Sequence, residues 1–169
     1  KTLECGIGSI HALKVFYRNN DPYIGAAAGK GVTIWCLRQY IEVAKLAARS
    51  DYGSLAITSH EGVMMLASGA SNRDGVKIWS LEDYSEMQVL TSSEDGYIKG
   101  LAFVQSKGKL HLVSGNTAGF ITVWDVESKT VVFTKETSGS KLSMIMIEKD
   151  RYANLVAVGC FSNCVSVWS

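Results

Sequence analysis

The sequence predicts an all-β chain of four similar units, each a small sheet of four short antiparallel strands. Three observations predict it. The four tryptophans stand at Trp35, Trp79, Trp124 and Trp168, at intervals of 44, 45 and 44 residues. Each closes the same alternating tetrapeptide: Val32-Thr33-Ile34-Trp35, Val76-Lys77-Ile78-Trp79, Ile121-Thr122-Val123-Trp124 and Val165-Ser166-Val167-Trp168. Each is also preceded by a run that ends in small residues. A repeat period of this size marks a repeat architecture, and period-two alternation marks a half-buried strand.

Within each unit the first strand is expected at 10–16, 55–59, 98–104 and 142–148. The second is expected at 23–28, 64–69, 111–115 and 154–159. It ends in Ala26-Ala27-Ala28-Gly29, Ala67-Ser68-Gly69, Val113-Ser114-Gly115 and Ala157-Val158-Gly159, and such small side chains let neighbouring sheets approach closely. A short turn follows. Asn72-Arg73-Asp74-Gly75 is its clearest form, because Asp-Gly tolerates positive φ. The Trp strand is third, and a fourth is expected at 42–47, 87–91 and 131–134. Residues 1–5 read as one further outer strand. The stretch 37–49 is rich in Ala and Leu and is the one place where a helical turn competes, yet the repeat demands a turn and an outer strand there. The units run over about 6–49, 50–93, 94–137 and 138–169. Four-stranded units of this length in register are the signature of a β-propeller, in which each unit is one blade.

Composition narrows the class. The 169 residues are 47% hydrophobic and 20% charged, with 17 basic against 16 acidic side chains. This excludes a disordered chain, a collagen-like fibre and a polybasic nucleic-acid arm, and a net charge of +1 argues against a nucleic-acid partner. Pro22 is the single proline, so there is no Pro-rich linker. No apolar run approaches the ~20 residues that span a bilayer, so no membrane partner is expected. No basic-then-apolar leader opens the chain. Four cysteines (Cys5, Cys36, Cys160 and Cys164) fall far below the density of a disulfide-stapled domain, and reduced thiols in a cytoplasmic or nuclear protein are expected.

The residues that carry a family resemblance are Leu66-Ala67-Ser68-Gly69 with Asp74-Gly75-Val76-Lys77-Ile78-Trp79, and Leu112-Val113-Ser114-Gly115 with Gly119-Phe120-Ile121-Thr122-Val123-Trp124-Asp125. Across essentially its whole length the chain resembles the WD-repeat β-propellers. The dipeptide that gives that family its name occurs once, as Trp124-Asp125. The resemblance implies a buried network in each unit joining a His, a Ser or Thr of the second strand, the Trp and a turn Asp. Here the His position reads Cys5-Gly6, Ser50-Asp51, Ser93-Glu94 and Thr137-Ser138, so no unit keeps the His. The Ser is present as Ser68 and Ser114, and the Asp as Asp74 alone. The fold is expected to tolerate these losses. One hydrogen bond nets roughly 1 kcal/mol, whereas a buried Trp contributes roughly 4–6 kcal/mol before entropy. Family members usually have seven blades, and this chain has material for four. It is expected either to be the C-terminal part of a larger propeller or to close by itself or with a second chain. It opens at Lys1 rather than Met, which points to processing or to a piece of a longer protein.

The sequence offers no catalytic, cofactor or metal set. His11, His60 and His111 lie in different units without metal-ligand spacing. Cys160 and Cys164 flank one turn, two ligands short of a zinc site. The Gly-rich stretch 25–31 lacks a phosphate-loop ending and leads into a strand. The better functional candidates are loop side chains. In a propeller the loops entering each first strand and the turns before each Trp strand share one face. Arg49, Tyr52, Arg73, Tyr97, Phe120 and Phe161 fall there as the expected partner contacts, beside Asn116 and Lys30. Tyr, Phe and Arg are enriched at binding hot spots. What the resemblance implies is a non-enzymatic scaffold for protein or peptide partners, with the style of a ubiquitin-ligase substrate receptor. The alternatives are an RNA-binding propeller and, behind it, a propeller enzyme. No cofactor is expected.

Overall fold

The computed structural model describes residues 1–5, 8–29, 31–47, 53–70 and 75–137, together with the backbone of three strands beyond them. Fifteen strands are described. The first sheet is β1 (Ile10–Arg18), β2 (Asp21–Ala28), β3 (Gly31–Cys36) and β4 (Ile41–Ala47). The second is β5 (Ser54–His60), β6 (Val63–Gly69), β7 (Val76–Ser80) and β8 (Glu86–Leu90), and the third is β9 (Ile98–Ser106), β10 (Lys109–Asn116), β11 (Phe120–Asp125) and β12 (Thr130–Glu136). The last is β13 (Leu142–Lys149), β14 (Asn154–Cys160) and β15 (Val165–Trp168). Each sheet is an antiparallel meander paired in chain order.

Every strand expected from the tryptophan comb is present, lengthened by a residue or two at most ends. No helix forms among the described residues, and 37–40 is a turn leading into β4. One expectation is corrected, while the last sheet shows, among the described residues, the three strands expected for it and no fourth. Residues 1–5 carry no strand pairing. A strand needs an edge to pair with, and these residues lie instead against the first sheet, where Lys1 Nζ sits 4.5 Å from the centre of the Tyr40 ring.

The hairpins that open the first three sheets share one geometry. Arg18 pairs with Asp21, His60 with Val63 and Ser106 with Lys109, leaving two residues in each turn. Both have positive φ in every case: Asn19 and Asn20, Glu61 and Gly62, Lys107 and Gly108. This is the primed turn whose twist matches that of the strands. The turns after the Trp strands also repeat, with positive φ five residues past each indole, at Tyr40, Tyr84 and Lys129. Asp125 closes one such turn by accepting the Ser128 N–H at 2.9 Å. At the matching position Ser80 Oγ accepts the Glu82 N–H at 3.1 Å.

The core lies between blades rather than inside one. Phe16, Ala27, Val32, Ile34 and Leu46 of the first sheet pack with Leu55, Leu66, Ala70, Trp79 and Leu81 of the second. Ala56, Met65, Ala67, Val76, Ile78 and Leu90 of the second pack with Ile98, Leu101, Leu110, Leu112, Trp124 and Val126 of the third. Trp79 and Trp124 thus each face the preceding blade. The first strands stand side by side in chain order, β1 by β5, β5 by β9 and β9 by β13. Small residues permit this approach, as expected: a Cβ on Gly69 would lie 2.5 Å from Ile98 Cγ2 of the next blade.

The structural residues fall in one register. Ser68 stands opposite Lys77 and Ser114 opposite Thr122, each two residues along from the partner of its Trp. Ala26 and Val158 hold the same place in the first and last sheets. Trp79 Nε1 donates to Ser68 Oγ at 2.8 Å. Trp124 Nε1 is fully buried and has no partner among the described residues. Trp35 is buried, and Trp168 is the last residue of β15. Asp74 lies outside the described residues.

Candidate functional site

Antiparallel order places the β2–β3, β6–β7 and β10–β11 turns at one end of the blades, with the loops that lead into β5, β9 and β13. That end is the expected binding face. Four of its six expected contacts (Arg49, Tyr52, Arg73 and Phe161) lie outside the described residues. Tyr97 and Phe120 are described, and they belong to the same part of the third blade.

Tyr97 is 56% exposed and immediately precedes β9. The backbone under its ring is held on both sides. Its N–H donates to Thr117 Oγ1 at 2.9 Å, and its carbonyl accepts the Thr117 N–H at 2.9 Å. Asn116, buried at the end of β10, joins loop to turn. Its Nδ2 donates to the Asp95 carbonyl at 3.1 Å, while its Oδ1 accepts the N–H groups of Ala118 at 3.1 Å and Phe120 at 2.9 Å. Thr137, directly after β12, adds a second tie. Its N–H and its Oγ1 both donate to the Gly119 carbonyl, at 2.8 and 2.7 Å. Gly96 has φ +130°, and a Cβ there would come within 2.9 Å of the Ala118 nitrogen, so loop and turn touch only because the residue is glycine. Ile98, two residues on, donates its N–H to the Ala70 carbonyl of the second blade at 3.1 Å.

The result is an aromatic ring standing in solvent on a fully bonded base. Phe120 plays another part: it is half-buried, with its N–H inside the clamp. Asn116, expected as a face residue, is a buried brace. Thr117 was not singled out in the sequence, and Thr137 was named only at the place where the resemblance expects a His. An Asn directly after a strand, beside a Thr-Ala-Gly turn, is the signal that could have found the clamp, since such side chains bond their own following backbone.

Among the described residues, the opposite face carries hollows between blades. One, of about 260 Å³, is lined by Tyr17, Arg18, Asn19, Gly62, Met64, Leu81 and Glu82, and Arg18 bridges its blades by donating to the Leu81 carbonyl at 3.2 Å. Another, of about 270 Å³, includes His60, Glu61, Met87, Gln88 and Glu127. Gln88 crosses there to the Val126 carbonyl at 2.9 Å. Among the described residues no three His, Cys, Asp or Glu side chains gather as a metal site. Cys5 and Cys36 are free thiols, and burial pushes the Cys5 thiol up from its ordinary value. The side chains of Cys160 and Cys164 lie outside the described residues. No described helix is long and apolar enough to cross a membrane.

Meandering four-stranded sheets packed face to face, with an indole at the same place in each, define a β-propeller. Comparison with solved structures makes the fold that of WD40 repeats. The chain is similar to the structure of U3-55K, with a TM-score of 0.80 and 22% identity over 99% of this chain and 51% of that one. It is equally similar to the RRP9 WD40 repeats, with a TM-score of 0.80 and 22% identity over 99% of this chain and 50% of that one. The chain therefore spans about half the length of these two. The computationally designed Ika4 protein matches with a TM-score of 0.70 and 22% identity, over 99% of this chain and 94% of that one. No family model and no curated protein matches the sequence.

Proposed function

We propose that the chain is a non-enzymatic scaffold that binds protein or peptide partners on its loop face, with Tyr97 as a principal contact. The observation that carries this reading is an exposed aromatic ring on a loop already locked by Asn116, Thr117 and Thr137. Tyrosine supplies large contact area with few rotatable bonds. A loop ordered before docking has little entropy left to lose. A merely solvated tyrosine would need no such base. The WD40 fold of the neighbours is compatible with the reading but does not establish it. A ubiquitin-ligase substrate receptor is the narrower form, supported only by the style of the repeats. The cytoplasm or nucleus is the compartment that suits so sparse a set of thiols.

The test is capture of partners by wild type, Tyr97→Ala and the opposite-face variant Glu61→Ala, each with and without nuclease. Wild type and Glu61→Ala are expected to retain the same proteins. Tyr97→Ala should weaken binding by about 2 kcal/mol, roughly 30-fold. Undiminished capture by Tyr97→Ala would remove the loop face from the reading. Loss on nuclease treatment would replace the protein partner with RNA.

A further inference from the structure

The hollows described on the face opposite the loops occupy the same place in successive seams between blades. Each is walled on one side by the following blade. In the seam of the first and second blades that wall is Gly62, Met64, Leu81 and Glu82. In the seam of the second and third it is Gly108, Leu110, Val126 and Glu127. These match one for one. Gly62 and Gly108 hold the second place of their hairpin turns, both with positive φ. Leu81 donates its N–H to the Met64 carbonyl at 2.9 Å, and Val126 donates to the Leu110 carbonyl at 3.0 Å. A glutamate follows in each case.

The preceding blade supplies the other wall, and here the seams differ. Arg18 and His60 are counterparts, each the last residue of a first strand and paired across the turn with the first residue of the second. Arg18 is half-buried in the first seam, and its guanidinium donates to the Leu81 carbonyl at 3.2 Å, one residue from Glu82. In the second seam the counterpart carbonyl, that of Val126, is taken by Gln88 Nε2 at 2.9 Å instead. Gln88 stands opposite Ile78 where the first blade has Ala44 opposite Ile34, too short to cross. An arginine is thus built into the first hollow and absent from the second. What lines the second, over about 270 Å³, is buried Met65, Ile78 and Leu110, half-exposed Met87, the Glu127 carboxylate and the amide of Gln88, whose Oε1 is left as an acceptor. Among the described residues no Lys or Arg lines it.

We propose that the hollow between the second and third blades binds an arginine side chain of a partner peptide. The guest takes the place that Arg18 fills in the first seam. Its methylenes lie on the apolar lining, as the stems of long cationic side chains do. Its guanidinium donates to the Glu127 carboxylate and to Gln88 Oε1. Arginine suits this pair of acceptors because its planar fork offers several donors at once and is weakly hydrated, and its bond to a carboxylate is charge-assisted. Glu61 also stands at this hollow, but its counterpart in the first is the uncharged Asn19, so the contacts assigned to the guest are Gln88 and Glu127. The inference is independent of what the loop face binds.

Titration of the whole chain with a blocked pentapeptide, one arginine among alanines, tests this, read by amide chemical shifts. The side-chain amide of Gln88 and the backbone amides of Gly108 and Glu127 should move, while those of Tyr97 and Thr117 on the loop face stay in place. The same peptide with citrulline for arginine, which keeps the shape and removes the charge, should move none of them. Glu127→Gln should weaken binding about 10-fold. His60→Arg, which copies the first seam, should abolish it by filling the hollow from within. Glu127 is exposed and His60 half-buried, and the unshifted resonances of the other blades report that each variant keeps its fold. Absence of shifts at millimolar peptide would overturn the proposal. So would unchanged affinity in Glu127→Gln, equal affinity for a lysine peptide, or shifts confined to the loop face.

Discussion

The second and third blades use the same parts and make different hearts. Both hold a buried Trp on the third strand and a buried Ser two residues along on the second. In the second blade the indole donates to the hydroxyl at 2.8 Å. In the third the indole is deeper, at 1% exposure, and its N–H has no partner among the described residues. The blade with the family's Trp-Asp dipeptide is therefore the one without the Trp–Ser bond. Packing holds Trp124, and packing with a hydrogen bond holds Trp79. The two blades form a natural experiment in which shape is kept and one polar interaction is varied.

The largest effect that probes this comparison is loss of the ring itself. Trp124→Ala should destabilise the chain by about 3–5 kcal/mol, the range for emptying a buried aromatic site. Denaturant unfolding followed by circular dichroism would measure it. The ring belongs to one core cluster with Ile98, Leu101 and Leu112 of its own blade and Met65 and Ile78 of the second, so its loss loosens the seam between both blades. A cost below about 1 kcal/mol would mean that packing alone does not hold the third blade.

Smaller effects separate the hydrogen bond from the packing. Ser68→Ala leaves Trp79 Nε1 buried without a partner, at an expected cost of about 1–3 kcal/mol. A double-mutant cycle sharpens the contrast, with Trp→Phe removing the N–H while keeping a ring. Ser68→Ala with Trp79→Phe should show a coupling of about 0.5–1.5 kcal/mol. Ser114→Ala with Trp124→Phe should be additive within about 0.5 kcal/mol. Equal coupling in the two blades would show that Trp124 and Ser114 do bond in solution, and the contrast between the blades would vanish.

Most of the architecture was legible because it rests on periodicities that side-chain type reports directly. The comb of indoles and the Val/Ile alternation placed every described strand to within about two residues. The turn conformations were less legible. Positive φ at Asn19, Asn20, Gly62 and Gly108 suits those residue types, whereas Tyr40, Tyr84 and Lys129 adopt it because a tight return to the outer strand demands it. The site was legible in its exposed part only. Tyr97 stood out as an aromatic in a loop, but its base joins Asp95 and Tyr97 to a turn twenty residues on, a proximity that no local pattern encodes. Phe120 illustrates the limit from the other side, since the same aromatic signal marks a residue that is half-buried in the frame. The unpaired Trp124 lies beyond sequence for a similar reason. Whether an N–H reaches a hydroxyl two residues along depends on ring orientation, and Ser68 and Ser114 look identical as letters.

The mildest contrast between the two blades lies in their turns and responds to pH. Asp125 caps the turn of the third blade, accepting the Ser128 N–H at 2.9 Å, and lies 3.3 Å from Lys109 Nζ. The Ser128 N–H, with Lys109 in support, lowers its carboxyl from 3.8 to about 2. Ser80 does the same work in the second blade with a hydroxyl, and the carboxylate of that turn is Asp83, held below its ordinary value by the hydroxyls of Ser80 and Ser85. The sign follows from linkage: a group whose folded pKa lies below its unfolded value adds stability that is complete above the unfolded value and is lost as pH falls towards the folded one. Asp125 should therefore make the unfolding midpoint fall between pH 4 and pH 2. Asp125→Ser, which copies the cap of the second blade, should leave the midpoint at neutral pH nearly unchanged and flatten that acid slope. An unchanged slope in Asp125→Ser would assign the acid sensitivity to other carboxylates and leave the two turns equivalent.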